Sequence, residues 1–108
     1  MEKDFTVINA SWHTKRERNY EFDNQLVYKS YKSFFVFLQD NSLVTRKLID
    51  INEDASDDTK LMRSDLTNEG LEFFKVAYGR WIDNIFDRGK SPEDVKYLEK
   101  KLKEIRGK

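Results

Sequence analysis

The chain has 108 residues, no cysteine, and 20 Lys plus Arg balanced by 20 Asp plus Glu. That length closes a single core, read as one domain over residues 1–108, and the lack of cysteine excludes disulfides and thiolate chemistry. A formal net charge of zero argues against direct binding to nucleic acid or to a membrane surface, both of which draw on a positive excess.

No run approaches the roughly 20 apolar residues that a membrane span needs. The opening MEKDFTVINA lacks the basic-then-apolar layout of a signal peptide, so the expectation is a cytoplasmic protein. In Phe5–Trp12 the apolar residues do not alternate cleanly, which leaves open a short N-terminal strand or an arm packed on helices. His13–Arg18 is polar and basic, and reads as a solvated turn or a first helical turn.

The first strong helix is expected over Asp23–Gln39. Val27, Tyr31, Phe34 and Leu38 recur at steps of three and four, with Tyr28 and Phe35 beside them. Phe34–Leu38 alone would also suit a buried strand, but the spacing before it favours a helix. Asn41 is the expected left-handed stop. A short second helix, capped by Asp40 or Ser42, would then hold Leu43, Val44, Leu48 and Ile51. Asn52–Thr59 is an acidic loop, and Leu61 and Met62 lead onward in extended conformation.

The longest periodic segment runs from Asp65 to Arg88. Thr67 is its expected N-cap, Glu69 favours the helix dipole in the first turn, and Gly89 is the expected left-handed residue at the end. Leu71, Phe74, Tyr78, Trp81 and Ile85 form one face, widened by Phe73, Ala77, Ile82 and Phe86. Gly79 lies inside this helix, and close approach of another helix is the expected reason for it. A last helix is read from Ser91 as N-cap with Pro92 at its first position, carrying Val95, Leu98, Leu102 and Ile105. The short turn before it makes it antiparallel to the central helix. The fold class is therefore mostly all-α: a compact bundle of about four helices, with the N-terminal strand left open.

Candidate chemistry is sparse. Asp50, Asn52, Asp54, Ser56 and Asp58 alternate like calcium-loop ligands, but position six would be Ala55 where glycine is needed, and position twelve Leu61 where glutamate is needed. An exposed acidic loop is the better reading. His13 is the only histidine, and no nucleophile or acid partner accompanies it. The expectation is a protein that is not an enzyme and that carries no cofactor or metal. Leu66-Thr67-x-x-Gly70 resembles the wing strand and capped helix of a winged-helix domain. A recognition helix rich in base-reading side chains is missing from that resemblance.

Phe37-Leu38, Leu43-Val44, Ser64-Asp65-Leu66-Thr67-x-Glu69-Gly70, Trp81 and Asp87 together resemble small bacterial immunity proteins of contact-dependent growth-inhibition and polymorphic toxin systems. The resemblance covers roughly Phe34 to Ile105. It implies a cytoplasmic protein that binds and neutralises one cognate toxin domain, often a nuclease, by blocking its active site or substrate access. No contact residue carries over from the family. The alternative function is a small DNA-binding or regulatory helical module.

Charge logic separates the two readings, since an inhibitor of a basic nuclease wants an acidic patch and a DNA binder wants a basic stripe. The dense one-sign cluster here is acidic: Asp50, Glu53, Asp54, Asp57 and Asp58 place five acids within nine residues, with no Lys or Arg among them. These five are the candidate partner-binding residues. Trp12, outside the strong helices and near Lys15, Arg16 and Arg18, is either a packing residue or a sixth contact.

Overall fold

The structure is a computed structural model that describes residues 4–9, 24–50, 52, 53, 55 and 59–107, with backbone alone at 24 and 25. It contains strand β1 (Thr6–Asn9), helix α1 (Asn24–Asp40), strand β2 (Lys60–Met62), helix α2 (Asn68–Arg88) and helix α3 (Lys96–Arg106). A single 3₁₀ turn, Arg63–Asp65, links β2 to α2. The described fold is mostly helical, with three helices and a two-stranded antiparallel sheet instead of about four helices.

The N-terminal strand is present. β1 pairs with β2 through Thr6–Met62, Ile8–Leu61 and Asn9–Lys60, with a bulge between Thr6 and Ile8. The bulge adds a residue to one strand only, which blurs a two-residue alternation and explains the ambiguous pattern. Ile8 and Leu61 turn into the core. Asp4 accepts hydrogen bonds from the Ser64 amide (2.9 Å) and hydroxyl (2.6 Å), which hold its carboxyl below the usual range and tie the strand to the turn.

α1 buries Val27, Tyr31, Phe34, Phe35, Phe37 and Leu38. It ends in a Schellman motif: Leu43 N–H donates to the Leu38 carbonyl (2.9 Å) and Ser42 N–H to that of Gln39 (3.3 Å). The left-handed residue is Ser42, with φ 60°, and not Asn41. Asn41 instead turns its side-chain amide back to the Phe37 carbonyl (2.9 Å). Both residue types tolerate the left-handed region less well than glycine, so side-chain bonding decides between neighbours.

The short helix expected over Leu43–Ile51 does not form. Residues 43–50 are free of helix and bend at Thr45 and Arg46, with Val44 bridged to Leu66 and Thr45 N–H bonded to the Asp65 carbonyl (2.8 Å). A helix of two turns has little stability of its own. Here the backbone finds better partners outside itself, and Leu43 and Ile49 are both buried without a helix.

α2 begins where expected. The Thr67 hydroxyl accepts from the Gly70 amide at 2.9 Å, and Gly89 closes the helix with φ 71°. Its buried face is Phe73, Ala77, Tyr78, Trp81, Ile82 and Ile85, with Leu71, Phe74 and Phe86 half-buried on its flanks. α1 crosses it antiparallel: Tyr31 meets Tyr78, Phe34 stacks on Trp81 at 5.3 Å between centroids, and Phe37 stacks on Phe73 at 5.5 Å. Gly79 was expected against another helix, yet it is exposed, and a Cβ there would meet nothing within 4 Å among the described residues. The close approach belongs to Gly70, where a Cβ would overlap the Leu43 carbonyl oxygen.

α3 is antiparallel to α2, as expected. The Trp81 indole N–H donates to the Asp94 carbonyl (3.3 Å) at one end, and Arg106 pairs with Glu69 (2.8 Å) at the other. Arg106 also donates to the Asn41 carbonyl (2.6 Å), which joins all three helices at that end. The helix starts at Lys96, five residues after Ser91, so Ser91 is not its N-cap. Ser91 opens a separate turn, accepting from Glu93 N–H on its hydroxyl (3.2 Å) and from Asp94 N–H on its carbonyl (3.0 Å). Asp94 in turn accepts from Lys96 N–H (3.1 Å). A serine-proline-acid string encodes such a turn as well as it encodes a helix start. Ser91→Ala is therefore expected to cost under about 0.5 kcal/mol, the range of an exposed site away from a helix cap. A loss near 1 kcal/mol in urea unfolding, the usual size for an N-cap, would restore the capping role.

Candidate functional site

Of the acidic cluster singled out by the sequence, Asp50 and Glu53 are described, and they follow directly on the segment after α1. From the last turn of α1, Gln39 accepts the amides of Leu48 (2.8 Å) and Ile49 (3.1 Å) and donates to the Ile49 carbonyl (2.6 Å). Its amide thus stands in for a neighbouring strand. Further back, the Thr45 hydroxyl donates to the Ser64 carbonyl (2.7 Å), and Arg46 pairs with buried Asp65 (2.7 Å). Asp65 also accepts the Met62 amide (2.9 Å), so this interior carboxylate joins the segment to the end of β2.

Beyond Ile49 the chain turns outward. Glu53 N–H donates to the Asp50 carbonyl (2.9 Å), and the Glu53 carboxylate accepts the Asp50 amide (3.2 Å). Asp50 and Glu53 are both exposed. Lys47 lies in ion-pair contact with Asp50, and its pKa is raised by that hydrogen bond and by the Asp50 and Glu53 charges. Ala55 then returns to the core. The structure brings Asp50 and Glu53 together in one turn. Asp54, Asp57, Asp58, Trp12 and His13 lie outside the described residues.

Lys47 and Gln39 were missed by reading the sequence. The spacing of Lys47 three residues before Asp50 was the available signal for the first. Gln39 gave none, because its role depends on where the chain returns ten residues later.

Concave surfaces also lie elsewhere on the described residues. A furrow between α1 and the start of α3, about 540 Å³, has an apolar floor of Val36, Phe37 and Val95 and a rim carrying Lys29, Lys32, Asp40 and Glu93. A smaller cleft of about 250 Å³ lies beside Trp81, with Lys90, Lys96 and Tyr97 on its wall. Among the described residues no group of three or more His, Cys, Asp or Glu side chains could hold a metal ion.

Among the described residues, two tyrosines form a titratable pair in the interior. Tyr78 donates its hydroxyl hydrogen to the Tyr31 oxygen at 3.0 Å, with both rings buried. Burial pushes the Tyr31 phenol up from 10.0 to about 12. Tyr78 is raised too, first by burial and then by the charge and hydrogen bond of Tyr31. Both phenols hold their protons more tightly in the folded state. Their contribution to stability is therefore complete below the ordinary value near 10 and is lost as pH rises through about 12. Alkaline titration followed by ultraviolet absorbance should show two of the five tyrosines ionising only as the fold is lost. Simple titration of all five near the ordinary value, with circular dichroism unchanged, would contradict this pairing.

Comparison with protein-family models, curated proteins and solved structures finds no match for the chain. What its own residues define is a class: a small, mostly helical domain with an anchored, exposed acidic turn. Among the described residues no helix is long and apolar enough to cross a membrane.

Proposed function

We propose that the protein is an immunity protein, which binds a cognate bacterial toxin domain in the cytoplasm and neutralises it by covering the active site or the path of its substrate. It has no chemistry of its own in this reading. The observation that carries the proposal is the Asp50–Glu53 turn. Its carboxylates are exposed, and the backbone just ahead of it, at Leu48 and Ile49, is held to α1 by the Gln39 amide.

Exposed acids on an anchored backbone suit a basic cleft such as that of a nuclease. Opposite charge speeds encounter and rejects wrong partners. A turn already held in place gives up less freedom on docking. Lys47 offsets one of the five acids between Asp50 and Asp58 and leaves the segment strongly negative.

The test is protection. A toxin domain encoded beside this gene should arrest a bacterial host when expressed alone and leave it growing when this protein is co-expressed. The purified pair should form an equimolar complex. Asp50→Lys combined with Glu53→Lys should slow association about tenfold at low salt and flatten its salt dependence. The thermal midpoint should stay close to wild type, because both side chains are exposed. Failure to protect, with the protein folded and the toxin active, would reject the reading. Unchanged association kinetics in the double variant would remove this turn from the interface. Retention of duplex DNA at physiological salt would support a DNA-binding module in its place.

A further inference from the structure

α2 carries a glycine that nothing inside the described chain explains. Gly79 stands on the exposed face of the helix, with open space where a Cβ would project. A glycine in a helix interior weakens folding roughly fivefold relative to alanine. Gly70 is accounted for by a close backbone approach to Leu43, whereas Gly79 has no such neighbour among the described residues.

The residues around Gly79 indicate what could lie over it. Glu72, Lys75, Val76 and Asp83 share its exposed face. Val76 is 49 % exposed, one of two large apolar side chains left open on the described surface. Lys75 and Asp83 have no ion-pair partner among the described residues. They stand four residues to either side of Gly79, about 6 Å along the axis in each direction. A second α2 laid antiparallel, with its own Gly79 at the crossing, puts each Lys75 level with Asp83 of the other copy. The two ion pairs are then made symmetrically, Val76 is covered, and the absent Cβ lets the two backbones approach.

We propose that the outer face of α2 pairs with the same face of a second copy of this chain, antiparallel and two-fold symmetric about Gly79. Such a contact is isologous, so one patch supplies both sides. One helix face is a small interface, which places the dimer in the weak class. It does not involve the Asp50–Glu53 turn and stands independently of the toxin-binding proposal.

Sedimentation over about 5 to 500 µM, the range that suits a weak contact, tests it directly. The wild-type chain should move from the mass of one copy toward two. Gly79→Leu should weaken association about tenfold or more by wedging the helices apart, while raising the thermal midpoint of the dilute monomer. Lys75→Asp should weaken it about tenfold by setting like charges level, and Lys75→Asp with Asp83→Lys should restore it to within about threefold. All these positions are exposed, and circular dichroism at low concentration checks that each variant is folded. A wild-type chain that stays monomeric throughout would overturn the proposal. So would a dimer indifferent to Gly79→Leu, or a double reversal that fails to restore what Lys75→Asp loses.

Discussion

Trp81→Ala is expected to lower stability by about 3–5 kcal/mol, the usual cost of truncating a large aromatic side chain in a core. Trp81 is only 1 % exposed and is among the largest side chains fully enclosed. Three losses coincide there. The stack on Phe34 goes, one of the ring contacts that join α1 to α2. The indole N–H no longer reaches the Asp94 carbonyl, which anchors the turn ahead of α3. A cavity remains between three helices, and helices braced by other contacts collapse into it incompletely. Urea unfolding followed by circular dichroism measures the cost. A shift below about 1 kcal/mol would mean that the ring is not part of the core.

Gly70→Ala is expected to destabilise by about 3 kcal/mol or more, at or beyond the upper end for an overpacked interior. The added methyl would overlap the Leu43 carbonyl oxygen, which cannot simply swing aside. That oxygen already accepts the Thr67 amide (3.0 Å) and hydroxyl (3.2 Å), and its residue closes the Schellman motif of α1. Relief would require moving α2 away from the chain after α1 or giving up both bonds. The same substitution at Gly79 should stabilise the dilute chain by up to about 1 kcal/mol, since only helix propensity changes there. Thermal melts of the two variants side by side measure the contrast. Equal effects at both positions would show that the close approach at Gly70 is misplaced.

These two glycines show how far the sequence reaches. Both sit in one helical pattern, Gly70 in its first turn and Gly79 in its interior. The pattern points to Gly79, at the middle of the helix, for the interhelical contact, and the fold puts the close approach at Gly70, against a segment with the spacing of a helix itself. The same limit appears at Gln39. Its side chain replaces a strand for Leu48 and Ile49, and nothing local to Gln39 announces this. Of the candidate site, the exposure of Asp50 and Glu53 was legible from composition alone. Their anchoring and the counter-charge of Lys47 were not.

What the sequence by itself determined is the set of features that depend on near neighbours. Tyr31, Phe34 and Leu38, and Tyr78, Trp81 and Ile85, recur with the helical period, so both long helices and their inner faces follow from spacing. The Thr67 cap and the Gly89 stop are read within three residues of the helix ends, because the orphaned backbone groups there are met by adjacent atoms. The tertiary structure decided the rest. Leu43–Asp50 has the spacing of a short helix, but Gln39, Asp65 and Leu66 offer its backbone partners from distant parts of the chain. Ser91-Pro92-Glu93-Asp94 suits a helix start or a turn, and the Trp81 indole bonded to Asp94 accompanies the turn. Local propensities over so short a stretch differ by about 1 kcal/mol, so one or two long-range hydrogen bonds are enough to reverse them.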